Sequence, residues 1–416
     1  MRKGNLVMIG CAAVMLLGCT AFGAEAELMP GVTVAENPES ATGYTVTFVY
    51  EEAEATSVDL IGTFAFYEEG SKMGELPEEY IPASEWEPGM FRASNSDLAV
   101  SEAMEKVEGT DYWQVSLDLP SGHYLYNYKV DGAEETIPDP ANAPMASTAE
   151  TGNASKLSTV DVPYAEVQGS SIDFDFMMQR EEGEEGTLVY TDYTDINGNL
   201  APLAIYLPYG YDAERAEGYK TLYLSHGAGG TEMEWFASGN TQYVFDNLIQ
   251  DGDVEPTIVV TMNNTAYSWD FDVINQNVME CIIPYMEANY NVGTEPVERA
   301  FAGLSMGGQT TSNVLYQNGD QFGYVGILSG SDTTNFFFRD KEKMSAPVIM
   351  LGAGCYDFGI STGMALSSGS AFGLQYLQTG LSELGIDYDM YVVKGGHDWT
   401  VWPQLIKIFA TDYLWK

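Results

Sequence analysis

Two different patterns of hydrophobic residues follow one another along the chain, and the change between them predicts two structural units. From about residue 43 to 146, short runs alternate apolar and polar side chains, as in YTVTFVY at 44–50 and WQVSL at 113–117. An alternation of period two places one face of a strand in a core and the other face in water. Gly, Pro and acidic residues separate the runs, which is typical of an antiparallel β-sandwich.

The second pattern begins after residue 166, where apolar runs are continuous and helical stretches separate them. Strands that are apolar on both faces and alternate with helices predict a mostly parallel sheet that is covered on both sides. We predict strands of this kind at 203–207, 221–225, 257–261, 324–328, 348–351 and 390–393. The predicted organisation is a β-sandwich at 40–147, a linker of small and polar residues at 148–166, and an α/β unit at 167–416.

The first 26 residues have the pattern of a signal peptide. Basic residues precede an apolar stretch at 6–17, which is too short to span a membrane. Two processing sites stay open: the small residues Ala24 and Ala26 suit ordinary cleavage, whereas Leu-Leu-Gly-Cys ending at Cys19 resembles a bacterial lipobox. Both predict a secreted protein. The second also predicts a lipid anchor at the bacterial cell surface, and we expect no other contact with a membrane.

Composition excludes several functions. The 416 residues are 45% hydrophobic, which is enough to form substantial cores, and 61 acidic against 17 basic residues give a formal charge of -44. This charge repels phosphates, so we expect no nucleic acid partner. Outside the leader, Cys281 and Cys355 are predicted to be buried free thiols. No Cys/His cluster has metal-ligand spacing, and we expect neither a metal nor a cofactor.

The run Ala-Gly-Leu-Ser-Met-Gly-Gly at 302–308 is the strongest chemical signal in the chain. It follows a short apolar stretch and predicts a strand, a sharp turn and a helix, with Ser305 at the turn. A turn this tight needs residues without side chains at Gly303 and Gly307. The hydroxyl of Ser305 is then exposed above the edge of the sheet, as a nucleophile requires.

A serine nucleophile needs a base, and the chain contains three histidines: His123, His226 and His397. We expect His123 to lie on the surface of the sandwich. His226 precedes a glycine-rich loop, where we predict a supporting role rather than proton transfer. His397 follows the last predicted strand, and loops at the carboxyl ends of parallel strands meet at one edge of a sheet. The predicted base is therefore His397.

Asp357 is the predicted acid, because it follows the strand at 348–351. The chain order Ser305, Asp357, His397 is that of α/β-hydrolases, so we predict this fold for the second unit. His397 would take the proton of the serine hydroxyl as it attacks an ester carbonyl, and Asp357 would hold the imidazole in the right tautomer. Two rival acids are Asp332, which follows another strand, and Asp398, which is adjacent to the base.

An oxyanion formed during this reaction needs two backbone donors. One predicted donor is the amide of Met306, and the second is the amide of Gly227 or of Ala228, a choice that stays open. Three tryptophans either line the substrate pocket or pack in the core: Trp235, Trp399 and Trp402. Three tyrosines on one strand of the sandwich are predicted to pack, with carbohydrate binding as the alternative: Tyr124, Tyr126 and Tyr128.

Several ordered motifs in residues 167–416 resemble one family of esterases. They are YLSHGAGGTEMEW at 223–235, IPYMEANYNV at 283–292, RAFAGLSMGG at 299–308 and GGHDWTVW at 395–402. That family includes the feruloyl and acetylxylan esterases of carbohydrate esterase family 1, esterase D and the mycolyltransferases. The resemblance implies that Ser305, Asp357 and His397 form its triad. Around Asp357 the spacing departs from the family pattern, Gly-x-x-x-Tyr-Asp-Phe replacing a shorter Gly-x-x-Asp-Phe.

The sandwich resembles the small immunoglobulin-like domain, related to starch-branching-enzyme and carbohydrate-binding modules, that precedes many secreted esterases. The motifs are LIGTF at 60–64, DYW at 111–113, PSGHYLY at 120–126 and DPAN at 139–142. An insertion-like stretch at 68–95 departs from this pattern. Together the resemblances imply a secreted serine esterase that removes feruloyl or acetyl groups from plant hemicellulose such as arabinoxylan. An acyltransferase, a siderophore-type esterase and a non-catalytic carbohydrate-binding surface protein remain alternatives.

Overall fold

The computed structural model describes most of the chain after the predicted leader. The described residues are 28–70, 73–94, 100–180, 184–331, 340–361, 364–365 and 371–416. The predicted signal peptide with Cys19, and the rival acid Asp332, lie outside them. Within these residues, no helix is both long and apolar enough to cross a membrane.

The described residues of the N-terminal part form ten short strands. They are β1 (Gly31–Glu36), β2 (Tyr44–Glu51), β3 (Val58–Gly62), β4 (Phe66–Tyr67), β5 (Phe91–Arg92), β6 (Val100–Ala103), β7 (Glu105–Lys106), β8 (Tyr112–Asp118), β9 (Gly122–Val130) and β10 (Ser158–Val162). Two four-stranded sheets have the orders β1-β2-β8-β7 and β10-β9-β3-β6, and β4 pairs with β5. Every pairing is antiparallel, as the alternating pattern predicts.

Aromatic side chains from the two sheets meet in the core of the sandwich. The rings of Phe48 and Tyr126 lie 4.9 Å apart, and those of Tyr50 and Tyr128 lie 4.5 Å apart. The tyrosines of β9 are fully buried, and the hydroxyls of Tyr126 and Tyr128 donate to Asp139. The prediction that this stripe packs is confirmed, and these rings are not available to stack on a sugar.

The sandwich uses strands on both sides of the predicted span of 40–147. Strand β1 begins at Gly31, and β10 pairs with β9 along its whole length, from Ser158 opposite Tyr126 to Val162 opposite Gly122. The predicted linker at 148–166 therefore contains a strand. Small and polar residues surround these five residues in the sequence, and only pairing with β9 makes them a strand.

The C-terminal part is built on one large sheet. Its strands are β11 (Thr187–Thr194), β12 (Leu200–Leu207), β13 (Lys220–Ser225), β14 (Thr257–Met262), β15 (Arg299–Leu304), β16 (Tyr324–Leu328), β17 (Val348–Gly354) and β20 (Asp389–Val393), and a small hairpin joins β18 (Met364–Ala365) to β19 (Ala371–Phe372). In the described chain the sheet has eight strands in the order β11-β12-β14-β13-β15-β16-β17-β20. From β14 to β20 all pairings are parallel, which confirms the prediction.

Helices cover both faces of this sheet. They are α1 (Glu234–Ala237), α2 (Thr241–Asp251), α3 (Phe271–Asn277), α4 (Ile283–Asn289), α5 (Met306–Asn318), α6 (Lys341–Met344), α7 (Phe358–Ser361), α8 (Leu374–Leu384) and α9 (Trp402–Ile408). A π-helical segment, Val278–Ile282, joins α3 to α4, and another, Phe409–Tyr413, continues α9. Separate apolar cores lie on the two faces, and Leu125 of β9 belongs to the one that contains α2 and α9.

Candidate active site

Ser305 lies on a sharp turn between β15 and α5. Its backbone has φ 54° and ψ −115°, a conformation that costs a non-glycine residue about 1–3 kcal/mol. A Cβ atom at Gly303 would lie 2.4 Å from the carbonyl oxygen of Gly307, and one at Gly307 would lie 2.2 Å from the carbonyl oxygen of Ser225. Both glycines are therefore needed for the close approach of β15, α5 and the end of β13.

His397 and Asp357 form a hydrogen-bonded pair at the same edge of the sheet as Ser305, where the parallel strands have their carboxyl ends. Their Nδ1 and Oδ1 atoms lie 3.0 Å apart, and Oδ1 also accepts from the amide of Gly359 at 2.6 Å. Asp357 is fully buried. In this pair Nδ1 donates and the carboxylate oxygen accepts, which leaves Nε2 as the ring atom that can take a proton.

The loops that carry these two side chains are bonded to each other through the backbone. The amide of Cys355 donates to the carbonyl of Val393 at 2.8 Å, and that of Tyr356 donates to the carbonyl of Gly395 at 3.0 Å. A Cβ at Gly354 would lie 2.4 Å from the Gly395 oxygen, so the two backbones touch. The relative position of Asp357 and His397 is therefore set by main-chain contacts.

Asp398, a rival acid, has other partners. Its Oδ2 accepts from the amide of Ser94 at 2.5 Å and its Oδ1 from the amide of Thr400 at 2.7 Å. Burial raises the pKa of this carboxyl group above its usual value. Both oxygens are thus engaged by backbone amides, whereas Asp357 is hydrogen-bonded to Nδ1 of His397.

The glycine-rich loop after β13 lies against Ser305. A Cβ at Gly227 would lie 3.4 Å from the Cβ of Ser305. The His226 Nδ1 donates to the carbonyl of Gly227 at 2.7 Å, and the amide of Asn264 donates to His226 Nε2 at 2.9 Å. Burial lowers the pKa of His226 to about 4, so the ring is neutral at pH 7 and supports the loop. Sequence reasoning missed Asn264, because a polar residue after a strand is common.

The three predicted pocket tryptophans form a buried row beside His397. The ring of Trp402 lies 5.3 Å from the imidazole and 4.9 Å from Trp399, and Trp399 lies 5.5 Å from Trp235. Trp235 is 1% exposed and its Nε1 donates to the carbonyl of Ser225. The sequence predicted that these tryptophans either line the pocket or pack in the core. The structure favours packing, most clearly for Trp235.

The expectation that His123 is a surface residue is wrong. The residue is 2% exposed, and its ring connects the sandwich with α1 of the second unit. Its Nδ1 lies 2.7 Å from the carboxylate of Asp161, and its Nε2 lies 3.1 Å from the carbonyl of Ala237. Asn240 also donates to Asp161, at 3.0 Å. The second unit covers this end of β9, which is why the residue is buried.

Among the described residues, no group of three or more His, Cys, Asp or Glu side chains is placed to hold a metal ion. Cys281 and Cys355 are free, as predicted, although both are partly exposed rather than fully buried.

Comparison with known proteins identifies the second unit. Residues 196–348 match the family model described as "Putative esterase". An endo-1,4-beta-xylanase/feruloyl esterase of Xylanibacter ruminicola is 30% identical over 248 residues, which are 57% of this chain and 32% of that protein. Endo-1,4-beta-xylanase Y of Acetivibrio thermocellus is 32% identical over 207 residues, 45% of this chain and 19% of that protein. The alignments thus span a third or less of these curated relatives.

Solved structures show the same fold. A ferulic acid esterase from the anaerobic fungus Anaeromyces mucronatus matches with a TM-score of 0.50 and 20% identity, covering 59% of this chain and 96% of its own. The enterobactin esterase of Shigella flexneri matches with a TM-score of 0.55 and 17% identity, covering 94% of this chain and 98% of its own. The sheet order, the serine turn and these matches agree: residues 196–348 match the "Putative esterase" family, and the second unit has the α/β-hydrolase-like fold of the matched esterase structures.

Proposed function

We propose that this protein is a serine esterase that hydrolyses feruloyl or acetyl esters on plant hemicellulose, with Ser305, His397 and Asp357 as its triad. One observation carries the proposal: Ser305 lies on a strained turn at the same sheet edge as the hydrogen-bonded His397–Asp357 pair. This arrangement suits nucleophilic catalysis and needs no cofactor.

In the proposed reaction, the Ser305 oxygen attacks the ester carbonyl carbon while His397 Nε2 takes the hydroxyl proton. The tetrahedral intermediate collapses, the C–O bond to the sugar breaks, and His397 returns the proton to the leaving alcohol. Water then attacks the acyl-enzyme by the same route and releases the acid. Asp357 stabilises the imidazolium that forms in each half of the reaction.

We assign the oxyanion donors to the amides of Met306 and Ala228. Met306 follows the nucleophile and begins α5. A trans peptide holds its C=O and N–H on opposite sides, and the Gly227 carbonyl is bound to the His226 ring. The Ala228 amide therefore points away from His226. This orientation of the Ala228 amide favours it over the Gly227 amide as the second donor.

The substrate class rests on relatives and on charge. Two curated relatives are named for xylanase activity, and one of these also for feruloyl esterase activity. A formal charge of -44 disfavours anionic substrates and is compatible with a neutral ester on a neutral polysaccharide. The enterobactin esterase likeness, at 17% identity, supports the fold and adds no argument for a siderophore substrate.

We also propose that the protein is exported and carries a lipid on Cys19, and that the sandwich is an immunoglobulin-like, carbohydrate-module-like domain. Two antiparallel sheets packed through aromatic rings support the second point. Labelling of expressing cells with a radioactive fatty acid, compared with a Cys19→Ala variant, tests the anchor.

Release of ferulate from methyl ferulate and of acetate from acetylated xylan tests the main proposal, with Ser305→Ala as the control. We expect one or both products from the natural protein and a loss of roughly 10⁴-fold or more in the variant. Adding a sugar alcohol acceptor distinguishes hydrolysis from acyl transfer. Binding to xylan without any ester release, unchanged in Ser305→Ala, would indicate a non-catalytic carbohydrate-binding protein instead.

A further inference from the structure

A segment of the sandwich reaches across to the two loops that carry the proposed acid and base. We call this segment the brace and define it as residues 66–70 and 73–94, which contain β4 and β5. The stretch departs from the compact sandwich pattern in the sequence. In the structure its contacts are made with the residues immediately beside Asp357 and His397.

On the acid side, the brace holds the two residues that precede Asp357. The amide of Gly70 donates to the Tyr356 hydroxyl at 2.6 Å, and the amide of Gly74 donates to the carbonyl of Cys355 at 2.8 Å. The ring of Phe91 stacks on that of Tyr356 with centroids 5.0 Å apart and planes 4° from parallel. These contacts restrict the loop that presents Asp357.

On the base side, the brace holds the residues that follow His397. The Asp398 carboxylate accepts from the amides of Ser94 and Thr400, so one side chain links the brace to the turn of the histidine loop. Arg92 adds a second link, because its Nε donates to the Thr400 hydroxyl at 3.2 Å. Both links end within three residues of His397.

Arg92 in turn is anchored in the sandwich. Its Nη1 donates to the carbonyl of His123 at 2.6 Å and to the Thr63 hydroxyl at 3.3 Å, and its guanidinium lies 4.3 Å from the centre of the Tyr124 ring. Arg92 and Asp398 are 8% and 7% exposed. Buried polar groups with this many partners are costly to displace, so the links are stiff.

We propose that the brace is a positioning element for ester hydrolysis, in which Arg92, Ser94 and Asp398 hold the His397 loop and Tyr356 receives the contacts that hold the Asp357 loop. The inference rests on the proposed triad. A shift of about 1 Å between reacting groups can cost up to 10²-fold in rate. The brace therefore affects hydrolysis of every ester, small soluble ones included, whereas a sandwich that only recruits polysaccharide would affect polymeric substrates alone.

The test measures kcat and KM for p-nitrophenyl acetate in Asp398→Asn and Thr400→Val. The first variant keeps the side-chain shape but removes one acceptor, and the second removes only the hydroxyl that Arg92 contacts. We expect kcat per folded protein to fall about 10- to 100-fold with KM changed less than about twofold. Glu134→Gln is the matched control: Glu134 is an exposed carboxylate of the sandwich outside the brace, so kcat should not change.

Circular dichroism and melting temperature establish whether each variant is folded at the assay temperature. If Asp398→Asn is not folded, Thr400→Val alone tests the inference. Wild-type kcat in the folded variants, a change in KM alone, or a loss confined to acetylated xylan would each overturn the inference. Ser305→Ala in the same assay separates the two proposals. If it is active, the triad and the brace both fail; if it is inactive while the brace variants keep full kcat, the brace alone fails.

Discussion

At the scale of single residues, hydrogen bonds to two histidines determine what each ring can do. The His397 ring has a carboxylate at Nδ1, whereas the His226 ring lies between a backbone carbonyl and a backbone amide. The first arrangement supports proton transfer, because the carboxylate stabilises the charged ring. The second supports a ring that is neutral at pH 7 and fixes a loop.

Replacement of the acid tests the first arrangement. In Asp357→Asn the carboxylate no longer stabilises the imidazolium or selects its tautomer, so kcat for methyl ferulate should fall by about 10⁴. Asp332→Asn is the control for the rival acid and should keep full kcat. The reverse result, a large loss only in Asp332→Asn, would assign the acid to that position.

The low pKa of His226 predicts a pH dependence of stability. The folded protein keeps this ring neutral down to about pH 4, whereas the unfolded chain takes up the proton near pH 6.5. Protons therefore favour unfolding in this window, and the contribution is complete above pH 6.5 and lost as the pH falls. Urea unfolding should show the wild type losing about 2 kcal/mol more than His226→Gln between pH 7 and pH 4.5. If the difference in the free energy of unfolding between wild type and His226→Gln stays the same from pH 7 to pH 4.5, the His226 ring is not held neutral by burial.

At the scale of elements, the turn between β15 and α5 depends on contacts between backbones. A Cβ at Gly307 would lie 2.2 Å from the Ser225 oxygen and 2.7 Å from the His226 oxygen. These oxygens cannot rotate away as the end of a side chain can. The strand end and the loop that follows it must therefore move if this glycine changes.

We expect Gly307→Ala to lower kcat about 100-fold, the effect of losing one oxyanion donor, because the displaced loop carries the proposed second donor. Kinetics with p-nitrophenyl acetate measure this, and circular dichroism shows whether the variant is folded. A folded variant with kcat within twofold of the wild type would show that the loop tolerates the methyl group.

At the scale of the whole molecule, the sandwich and the large sheet share a buried boundary. Leu125 of β9 lies in the core beneath the large sheet, and His123 contacts both Asp161 and Ala237. Buried contacts on this scale couple the two parts. We therefore expect them to unfold together rather than in two steps.

His123→Ala tests this coupling. It removes the ring that contacts both the buried Ala237 carbonyl and the Asp161 carboxylate, so the free energy of unfolding should fall by about 2 kcal/mol. Urea unfolding followed by tryptophan fluorescence and by far-UV circular dichroism should give coincident curves. Tyr80→Ala, an exposed change in the same half, should stay within about 0.5 kcal/mol of the wild type. Two separate transitions in the wild type would contradict the coupling.

The sequence by itself determined the features that local periodicity and local sterics control. The strands at 203–207, 221–225, 257–261, 324–328, 348–351 and 390–393 all lie in the large sheet, because continuous apolar runs between helices can be buried only there. The turn at Ser305 was also predictable, since glycines at fixed offsets are what its backbone requires.

Only the tertiary structure decided which groups meet across long stretches of chain. It made 158–162 a strand, buried His123, packed the tryptophans behind His397, and brought Ser94 to Asp398 over 304 residues. No local pattern encodes such contacts, because a short polar segment has the same composition whether water or a distant loop satisfies its hydrogen bonds.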